Sequence, residues 1–473
     1  MDLIKVDICV IGAGSGGLSV AAGASQMGAN VVLIEKGEMG GDCLNTGCVP
    51  SKALLAAAHA AQTIREAGQF GLKAGEPSTD WQDVHRHLHE VIDAIAPNDS
   101  QERFEGLGVN VIRATASFED EQTVRAGDQL IRAKYFVLAT GSSPFVPPID
   151  GLDQVSYFTN ENIFENRDAV EHLIVVGGGP IGIEMAQAFR RLGAKVTVVE
   201  MARLLVKDDP ELARVVIDRL SEEGVLFYEG GRNLKLGRTQ EGQVAIHCET
   251  DAGAQCATGS HLLIATGRRA NVNGLNLEAA AISYTPHGVE VDARLRTSNR
   301  RVFAIGDVAG PYQFTHMASY QAGVVLRNML FKLPAKVDYS AVPWVTYSDP
   351  ELAHVGVSEA DATKEGKVVR VLRWSFSEND RAQAERRTEG MIKVITTPKG
   401  LILGASIVGP HAGELIQPWV LAISQKMKVG AMASMIAPYP TLAEANKRIA
   451  GSFYSDKLFS STVRRLVRLL MEF

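Results

Sequence analysis

The sequence has few cysteines, no excess of positive charge and no long apolar run. Only 5 of its 473 residues are cysteine, too few for a disulfide-stabilised scaffold. The net charge of −6 argues against a protein that binds nucleic acid, because such a protein presents a basic face. No stretch approaches the roughly 18 apolar residues that a transmembrane helix needs, so none is expected.

The first residues, MDLIKVDICVIGAG, also lack the basic start, apolar core and small-residue cleavage site of a secretory signal. A cytoplasmic location is therefore the expectation. With 46% hydrophobic and 22% charged residues the composition is that of a globular protein, and a chain of 473 residues predicts two to four domains.

Two segments carry the glycine pattern of a dinucleotide-binding loop, each between an apolar strand and a helix, with an acidic residue closing the next strand. The first consists of Gly12, Gly14, Gly17 and Glu35. The second consists of Gly177, Gly179, Gly182 and Glu200. In such a loop the glycines allow a tight turn and close approach to a pyrophosphate, and the carboxylate accepts ribose hydroxyls. The repeat predicts two bound dinucleotides or one duplicated ancestor.

The cysteines at 43 and 48 lie close together in GGDCLNTGCVPSK, Gly40–Lys52, where a loop opens a helix. The other three cysteines occur apart, with Cys9 and Cys248 in predicted strands and Cys256 in a predicted turn. Two thiols on a short loop suit thiol–disulfide exchange. In this reaction one thiol attacks the substrate and the second resolves the mixed disulfide that forms. A zinc site would need further ligands that the sequence does not provide in a second cysteine pair.

These motifs together resemble the flavoprotein disulfide reductases, which include dihydrolipoamide dehydrogenase, glutathione reductase and mercuric reductase. GGDCLNTGCVPSK is similar to the redox-active disulfide motif of that family, TSNRRVFAIGD (297–307) to its second FAD motif, and VTYSDPELAHVG (345–356) to the start of its dimerisation domain. The resemblance covers essentially the whole chain.

The resemblance implies an α/β fold with two doubly wound, Rossmann-like nucleotide-binding domains and a C-terminal α+β dimerisation domain. The expected boundaries are 1–150 and 276–340 for the two parts of an FAD-binding domain, 151–275 for an NAD(P)-binding domain, and 341–473 for the dimerisation domain. A homodimer with a shared active site is implied as well.

The family's roles carry over by position. Cys48 would be the thiolate against the flavin and Cys43 the thiol that meets the substrate, while Lys52 would lie near the flavin and pair with Glu184. The FAD contacts would come from the first glycine loop with Glu35 and from Lys52, Thr140, Gly141, Gly306 and Asp307. The nicotinamide nucleotide would lie at the second glycine loop, with Glu200 and Gly267. His316 would either contact the edge of the flavin ring or only help to pack the helix on which it lies.

The acidic Glu200 favours NAD over NADP, because a carboxylate repels a 2′-phosphate, although Arg203 nearby leaves NADP open. The sequence departs from the thiol-reducing members in APYPTLAEA (437–445), where Tyr439 replaces the usual catalytic histidine while Glu444 is in place. A phenol titrates near 10 and is a poor general base at neutral pH. Mercuric reductase has a tyrosine at this position, but also a C-terminal cysteine pair and an N-terminal metal-binding extension, neither of which is found here.

Two enzymatic functions follow. The first is a dihydrolipoamide dehydrogenase-like oxidoreductase acting on a thiol or disulfide, and the second is an NAD(P)H-dependent metal-ion reductase of the mercuric reductase type. A flavoprotein without catalysis is disfavoured by the intact cysteine pair.

Two weaker signals remain. His85 and His89 in VHRHLHE stand one helical turn apart, a spacing that can hold a metal, but no third ligand is evident, so a solvated helix face is expected and no metal site is predicted. The C-terminal tail has apolar residues at helical spacing beside three arginines. It either packs on its own domain, the commoner outcome, or makes a weak contact with a membrane surface or partner.

Overall fold

The structure is a computed structural model that describes residues 3–472. Its strands are β1 Leu3–Ile11, β2 Val31–Glu35, β3 Val109–Arg113, β4 Ala116–Asp120, β5 Thr123–Ala126, β6 Gln129–Leu138, β7 Ser142–Pro144, β8 His172–Val176, β9 Lys195–Glu200, β10 Val225–Glu229, β11 Arg232–Arg238, β12 Val244–Thr250, β13 Gly253–Gly259, β14 His261–Ile264, β15 Arg268–Ala270, β16 Tyr284–Thr285, β17 Gly288–Val289, β18 Val302–Ala304, β19 Pro343–Thr346, β20 Glu351–Gly356, β21 Arg370–Ser375, β22 Met391–Thr396 and β23 Ile402–Gly409.

The helices are α1 Ser15–Gln26, α2 Gly41–Asn45, α3 Cys48–Glu66, α4 Trp81–Ile95, α5 Gln101–Gly106, α6 Pro180–Arg191, α7 Pro210–Glu222, α8 Thr315–Leu330, α9 Glu359–Lys364, α10 Asp380–Ala384, α11 Ala412–Leu415, α12 Gln417–Ser424, α13 Val429–Ser434, α14 Glu444–Ser452, α15 Ser455–Leu458 and α16 Ser461–Leu470. The chain divides into two compact units. The first comprises the described part of Met1–Gly177 with Arg191–Lys195 and Arg232–Asp338, and the second comprises Gly178–Arg190, Val196–Gly231 and the described part of Tyr339–Phe473.

The first unit is built on a seven-stranded sheet in the order β3-β2-β1-β6-β5-β4, with β18 beside β6. Strand β1 runs parallel to both β2 and β6. Parallel neighbours end at the same edge of a sheet, so the segments that follow Ile11, Ile34 and Leu138 come together there. This edge holds the first glycine loop.

Both faces of this sheet are buried, as an apolar parallel sheet requires. Because side chains alternate along a strand, Cys9 and Ile11 of β1 join one core with Phe136, whereas Ile8 and Val10 join a second core on the other face. The second core also contains apolar residues of α1 and α8. Cys9 is therefore a buried strand residue, as predicted.

Smaller strand pairs complete the first unit. Strand β8, which leads into the second glycine loop, runs parallel to β14. Strands β11, β12 and β13 form an antiparallel sheet that contains Cys248 in β12 and Cys256 in β13. The turn predicted around Cys256 is therefore wrong: the small residues there pair along the whole of β12, since the absence of bulky side chains does not by itself break a strand.

The second unit contains the parallel pair β9 and β10 and a five-stranded antiparallel sheet in the order β19-β20-β23-β22-β21. Strands β22 and β23 form an antiparallel hairpin that turns at Gly400. Trp419 of α12 is fully buried over this sheet and its indole Nε1 donates to Asn446 Oδ1 at 2.7 Å. The large apolar surface of the indole is thus buried while its N–H group keeps a hydrogen-bond partner.

The amphipathic tail forms α16, and within the described residues none of its side chains is buried. Leu466, Leu469 and Leu470 are each more than half exposed. The expectation that the tail packs on its own domain is wrong for this chain, and contact with a surface or partner stays a proposal. Among residues 3–472, no helix combines the length and the hydropathy needed to cross a membrane.

Candidate functional site

The cysteine pair lies directly against the first glycine loop. Cys43 is in α2, and Cys48 is the first residue of α3. The preceding Gly41 comes so close to the glycine loop that an added Cβ would meet the Cα of Gly14 at 2.7 Å. The amide of Gly40 donates to the carbonyl of Ala13 at 3.0 Å. Backbone contact between two glycine-rich segments therefore fixes the thiols beside the dinucleotide loop.

Two helix N-termini converge on the sulfur of Cys48. That residue begins α3, and Thr315, which begins α8, has its hydroxyl 3.5 Å from the Cys48 Sγ. Helix N-termini carry positive potential, which stabilises a thiolate. Both cysteines are free thiols in this structure, with Cys43 half-buried and Cys48 exposed.

The two thiols have opposite acid–base properties. The pKa of Cys48 is lowered to about 6, first because Cys43 donates a hydrogen bond to it, and further by the Thr315 hydroxyl and the charge of Lys52. The pKa of Cys43 is raised, because its proton is held against Cys48 and because the thiol is partly buried. Near neutral pH the arrangement thus holds one thiolate at Cys48 and one proton at Cys43.

A buried arginine connects this pair to the motif around residue 307. The side chain of Arg268 is 12% exposed and its Nη2 lies 3.2 Å from an oxygen of Asp42, the residue before Cys43. Its Nε donates to the hydroxyl of Ser142 at 2.7 Å, and that hydroxyl donates to Asp307 at 2.6 Å. Burial raises the pKa of Asp307, whereas the Ser142 hydroxyl and Arg268 lower it. The positive charge of the guanidinium therefore offsets the negative charges of Asp42 and Asp307 beside the thiols.

Sequence reasoning missed Arg268 and Ser142. Arg268 stands in the run HLLIATGRR (261–269), but nothing in that run shows that it meets Asp42, which is more than 200 positions away in the chain. The pairing of β15 with β7 brings Arg268 and Ser142 together, which no local pattern in either segment indicates.

The first glycine loop has the geometry of a phosphate-binding turn. Gly12 has φ +106°, and a Cβ there would lie 2.4 Å from the carbonyl oxygen of Ala139, so only glycine fits. Gly14 faces space in which an added Cβ would meet nothing nearer than 4.0 Å in the described chain. The first turn of α1, which follows, reads SGGL and is uncharged. An uncharged helix N-terminus behind an open glycine fits a pyrophosphate.

The acidic residue that closes β2 points back at this loop. One oxygen of Glu35 accepts from the amide of Ala13 at 2.6 Å and the other from the amide of Gly37 at 2.7 Å. A Cβ at Gly17 would lie 1.8 Å from the carbonyl oxygen of Gly12, so glycine is required for the helix to pack this closely. These positions suit the adenosine end of a dinucleotide such as FAD.

The second glycine loop repeats the same construction. Gly177 has φ +118°, and a Cβ there would lie 2.3 Å from the carbonyl oxygen of Ala265. Glu200 accepts from the amides of Gly178 at 2.6 Å and Ala202 at 2.7 Å. Gly179 has nothing within 4 Å of an added Cβ in the described chain, and Gly182 lies in the first turn of α6.

Arg203, which left the choice of nucleotide open, is held away by its own loop. Its guanidinium donates to the carbonyl oxygens of Val206 and Asp208, each at 2.9 Å. Both bonds use the Nη2 atom, so this part of the guanidinium is engaged, and the preference for NAD over NADP stays a prediction.

The remaining predicted cofactor residues lie in the first unit, with His316 on α8 and the others in short segments between strands and helices. Thr140 donates to the carbonyl of Asn271 at 2.8 Å, and the Asn271 amide donates to the carbonyl of Gly141 at 3.0 Å. Gly306 donates to Gln321 at 2.7 Å, and Gly267 has φ +122°. His316 is exposed, with its ring stacked 5.2 Å from that of Phe314. Their contacts with cofactors stay predictions.

Tyr439 does not meet Glu444 through its hydroxyl. It is 69% exposed, and its hydroxyl donates to Asp380 at 2.9 Å. This bond raises the pKa of Tyr439 above its ordinary value. Glu444 instead accepts from Arg448 at 2.8 Å. Sequence reasoning missed Asp380, because no local pattern connects it to a residue 59 positions later.

Lys52 and Glu184 belong to different compact units, and their pairing stays a prediction. Within the first unit, the Lys52 Nζ lies 3.4 Å from the hydroxyl of Ser51. Within the second unit, Glu184 is buried and accepts from the amide of Tyr347 at 2.9 Å.

The two helix histidines differ from expectation. His85 is buried, so the solvated face predicted for this part of α4 is wrong there. The folded chain also supplies a third candidate ligand, Glu165, which the sequence did not reveal. Helical spacing fixes which residues share a face but not what packs against that face.

Comparison with known proteins places this geometry in a family. The family model described as "Pyridine nucleotide-disulphide oxidoreductase" matches residues 6–322, and that of its dimerisation domain matches residues 342–450. A mercuric reductase of Streptomyces lividans is 36% identical over 458 residues, which cover 95% of this chain and 96% of that protein. A dihydrolipoyl dehydrogenase of Bacillus subtilis (strain 168) is 32% identical over 445 residues, covering 92% and 96%.

Among solved structures, the Cu(II) complex of the HOCl-induced flavoprotein disulfide reductase RclA from Escherichia coli matches with a TM-score of 0.85 at 25% identity. The match covers 96% of this chain and 100% of that one. The α/β fold class expected from the sequence is confirmed by these matches, while the individual domain boundaries stay a prediction.

Proposed function

This chain belongs to the pyridine nucleotide-disulphide oxidoreductase family, whose members use FAD and NAD(P)H, and we propose that its electron acceptor is a soft metal ion bound by sulfur. When bound, the cofactors supply hydride transfer from the nicotinamide and two-electron transfer to sulfur through the flavin. The chain's own residues then decide which acceptor is reduced. The choice of a metal ion as acceptor rests on one observation, the presence of Tyr439 at the position of the usual catalytic histidine.

The proton balance separates the two acceptor classes. Reduction of a disulfide consumes NADH and a proton and yields NAD⁺ and two thiols, so protons must be delivered to sulfur. Reduction of a free divalent metal ion such as Hg(II) to the metal yields NAD⁺ and releases a proton. When the ion is presented as its dithiolate, the reaction consumes one proton and yields two small thiols, whose thiolates can take their protons from solvent after release. A disulfide acceptor therefore needs a group that exchanges protons near neutral pH, and a metal acceptor does not.

Tyr439 is poorly suited to that exchange. A phenol ordinarily titrates near 10, and the hydrogen bond to Asp380 raises the pKa of Tyr439 further. The side chain therefore keeps its proton across the physiological range and acts as a hydrogen-bond donor. General acid–base catalysis by a well-matched group contributes roughly 10²–10⁴-fold, and this is the factor a dithiol reaction would lose here.

The cysteine pair suits a ligand that binds sulfur. Cys48, with its pKa lowered to about 6, is a thiolate at neutral pH, and thiolates are the preferred ligands of soft metal ions. Cys43, half-buried and protonated, would lose its proton on metal binding, which a metal ion favours by coordination.

A thiol or disulfide substrate is the second candidate. The opposite pKa shifts of Cys43 and Cys48 are also what thiol–disulfide exchange requires, with one thiolate and one proton donor. This candidate has to explain proton delivery without an imidazole at position 439.

The match to the family's dimerisation domain supports a homodimer. We further propose that Tyr439 of one protomer serves the cysteine pair of its partner, so that the active site is shared. The large exposure of Tyr439 in the single chain is consistent with this role.

The test is anaerobic NADH oxidation by the purified holoenzyme with two acceptors, lipoamide or Hg(II) with excess thiol. The proposal expects turnover with the metal and slow turnover with lipoamide. Fast lipoamide turnover by the unmodified enzyme would support the second candidate instead. If neither acceptor turns over while NADH still reduces the flavin, the proposed acceptor is wrong although the enzyme class stands.

Three variants make the assay sharper. Tyr439→His should raise lipoamide turnover by about 10²-fold or more, because it supplies a proton-exchanging group. Tyr439→Phe is the matched control, since it keeps the ring and removes only the hydroxyl, and it should leave lipoamide turnover low. Cys48→Ser should abolish turnover of both acceptors without preventing flavin reduction by NADH.

A further inference from the structure

A second cluster of metal-ligating side chains lies in the first unit, apart from the cysteine pair and independent of the proposed function. His85 and His89 stand one turn apart on α4, and the centroids of their rings are 4.1 Å apart. Glu165 reaches them from a short 3₁₀ turn, Ile163–Glu165. One ligand atom from each of the three residues lies within 4.8 Å of the others.

The distances in this cluster are those of ligands around an ion. His85 Nε2 lies 3.5 Å and His89 Nε2 lies 3.4 Å from the two oxygens of Glu165. Protein hydrogen bonds of this kind are mostly about 2.7–3.2 Å long, so both contacts, like the one that Arg167 makes with His85, are long and weak as hydrogen bonds. Ligands held at about 2.0–2.1 Å from a tetrahedral zinc ion are about 3.3–3.4 Å apart.

His89 gives a second and independent indication. Its Nε2 is buried and finds no hydrogen-bond partner among the described residues, although it faces the Glu165 carboxylate. A buried polar atom without a hydrogen bond is destabilising, and proteins rarely leave one without a purpose. A bound cation at this position would satisfy the nitrogen.

Arg167 is the group that a cation would have to displace. Its Nε donates to His85 Nε2 at 3.4 Å. Arginine is always a donor, so His85 Nε2 must direct its lone pair outward, which is the form that coordinates a metal. Because Arg167 is exposed, its side chain has room to swing into solvent.

We propose that His85, His89 and Glu165 bind one divalent ion of the Zn²⁺ class, with the fourth position taken by water. Two imidazoles and one carboxylate are a common ligand set for zinc, whereas Mg²⁺ and Ca²⁺ prefer oxygen ligands throughout. His85 is buried and Glu165 is half exposed. One side of the site is therefore open to solvent, and an ion can reach it. The bound ion would cross-link α4 to the turn at Ile163–Glu165.

The test is calorimetric titration with Zn²⁺ of the flavin-loaded, full-length protein after treatment with a chelator. The background carries Cys43→Ser and Cys48→Ser, so that the redox thiols do not take up the ion. We expect one ion per chain. Loss of a residue that merely supports a ligand costs about 10–100-fold in metal affinity, so removal of a ligand in His89→Ala or Glu165→Gln should cost about 100-fold or more.

His87→Ala is the matched control, because it removes a histidine from the same helix at a position two residues from either ligand. It should leave zinc affinity unchanged. Glu165→Gln replaces an exposed side chain by one of the same size. It therefore still tests the site if the His89→Ala variant does not fold. If zinc does not bind, if it binds all variants equally as a surface ion only, or if His87→Ala weakens binding as much as His89→Ala, the proposal is wrong.

Discussion

The strongest electrostatic prediction concerns the hydrogen bond between the two redox thiols. The pKa of Cys48 lies at about 6 rather than 9.0, and the largest cause is the bond from Cys43. Replacing Cys43 by alanine removes that donor, whereas replacing it by serine keeps a hydroxyl that can donate in its place. The two variants therefore separate the hydrogen bond from other effects of losing the thiol.

The size of the effect follows from the populations. With a pKa of about 6, roughly 90% of Cys48 is thiolate at pH 7, and the thiolate is lost as the pH falls below 6. In Cys43→Ala the pKa should rise toward that of an ordinary thiol, about 8.5, where only a few per cent is ionised at pH 7. Thr315→Val, which removes a lesser contribution, should raise the pKa by less.

The assay is a pH titration of the reduced holoenzyme by NMR, with ¹³C placed at the Cβ of cysteine. Cys48→Ser identifies the resonance by its disappearance. The expected order of apparent pKa values is wild type lowest, Cys43→Ser slightly higher and Cys43→Ala highest. If Cys43→Ala titrates at the same pH as wild type, the two helix N-termini and Lys52 set the pKa of Cys48 and the reasoning from the hydrogen bond fails.

Two further predictions concern charges at the nucleotide loops. Glu200→Gln should reduce the preference for NADH over NADPH about tenfold in kcat/KM, because it keeps an acceptor for ribose but removes the charge that repels a 2′-phosphate; an unmodified enzyme that prefers NADPH would contradict this. Arg268→Leu removes the guanidinium that contacts Asp42 and Asp307 and should lower stability by about 1–2 kcal/mol, less than for a fully buried pair because the Asp42 side chain is 39% exposed, and should loosen flavin binding. Flavin release on heating measures this, and the exposed neighbour in Arg269→Leu should behave as wild type.

The parts of the fold that sequence predicted well are local in the chain. The glycine loops and the strands that lead into them each depend on residues within a short window. Gly12 and Gly177 illustrate why: their positive φ is a requirement of one turn, although the carbonyls that also exclude a Cβ there belong to the distant Ala139 and Ala265.

The parts that sequence could not predict are contacts between distant segments. Arg268 meets Asp42, Tyr439 meets Asp380, and Glu165 meets the histidines of α4 only after the sheets have formed. Charged and polar side chains carry no periodic signal that identifies their partners, whereas apolar side chains reveal the face on which they pack.

These distant contacts change the chemistry that the motif alone would suggest. From the motif, Tyr439 is merely a missing histidine. In the folded chain, its bond to Asp380 fixes the phenol as a proton donor and raises the barrier to any role as a base. A carboxylate at position 380 would instead raise the pKa of a histidine, because it stabilises the charged imidazolium, so Tyr439→His should acquire both the proton and the counter-charge of a working acid–base pair. The choice of acceptor would then depend on one side chain placed on an existing carboxylate, which is why the lipoamide assay of that variant is the decisive comparison between the two candidate functions.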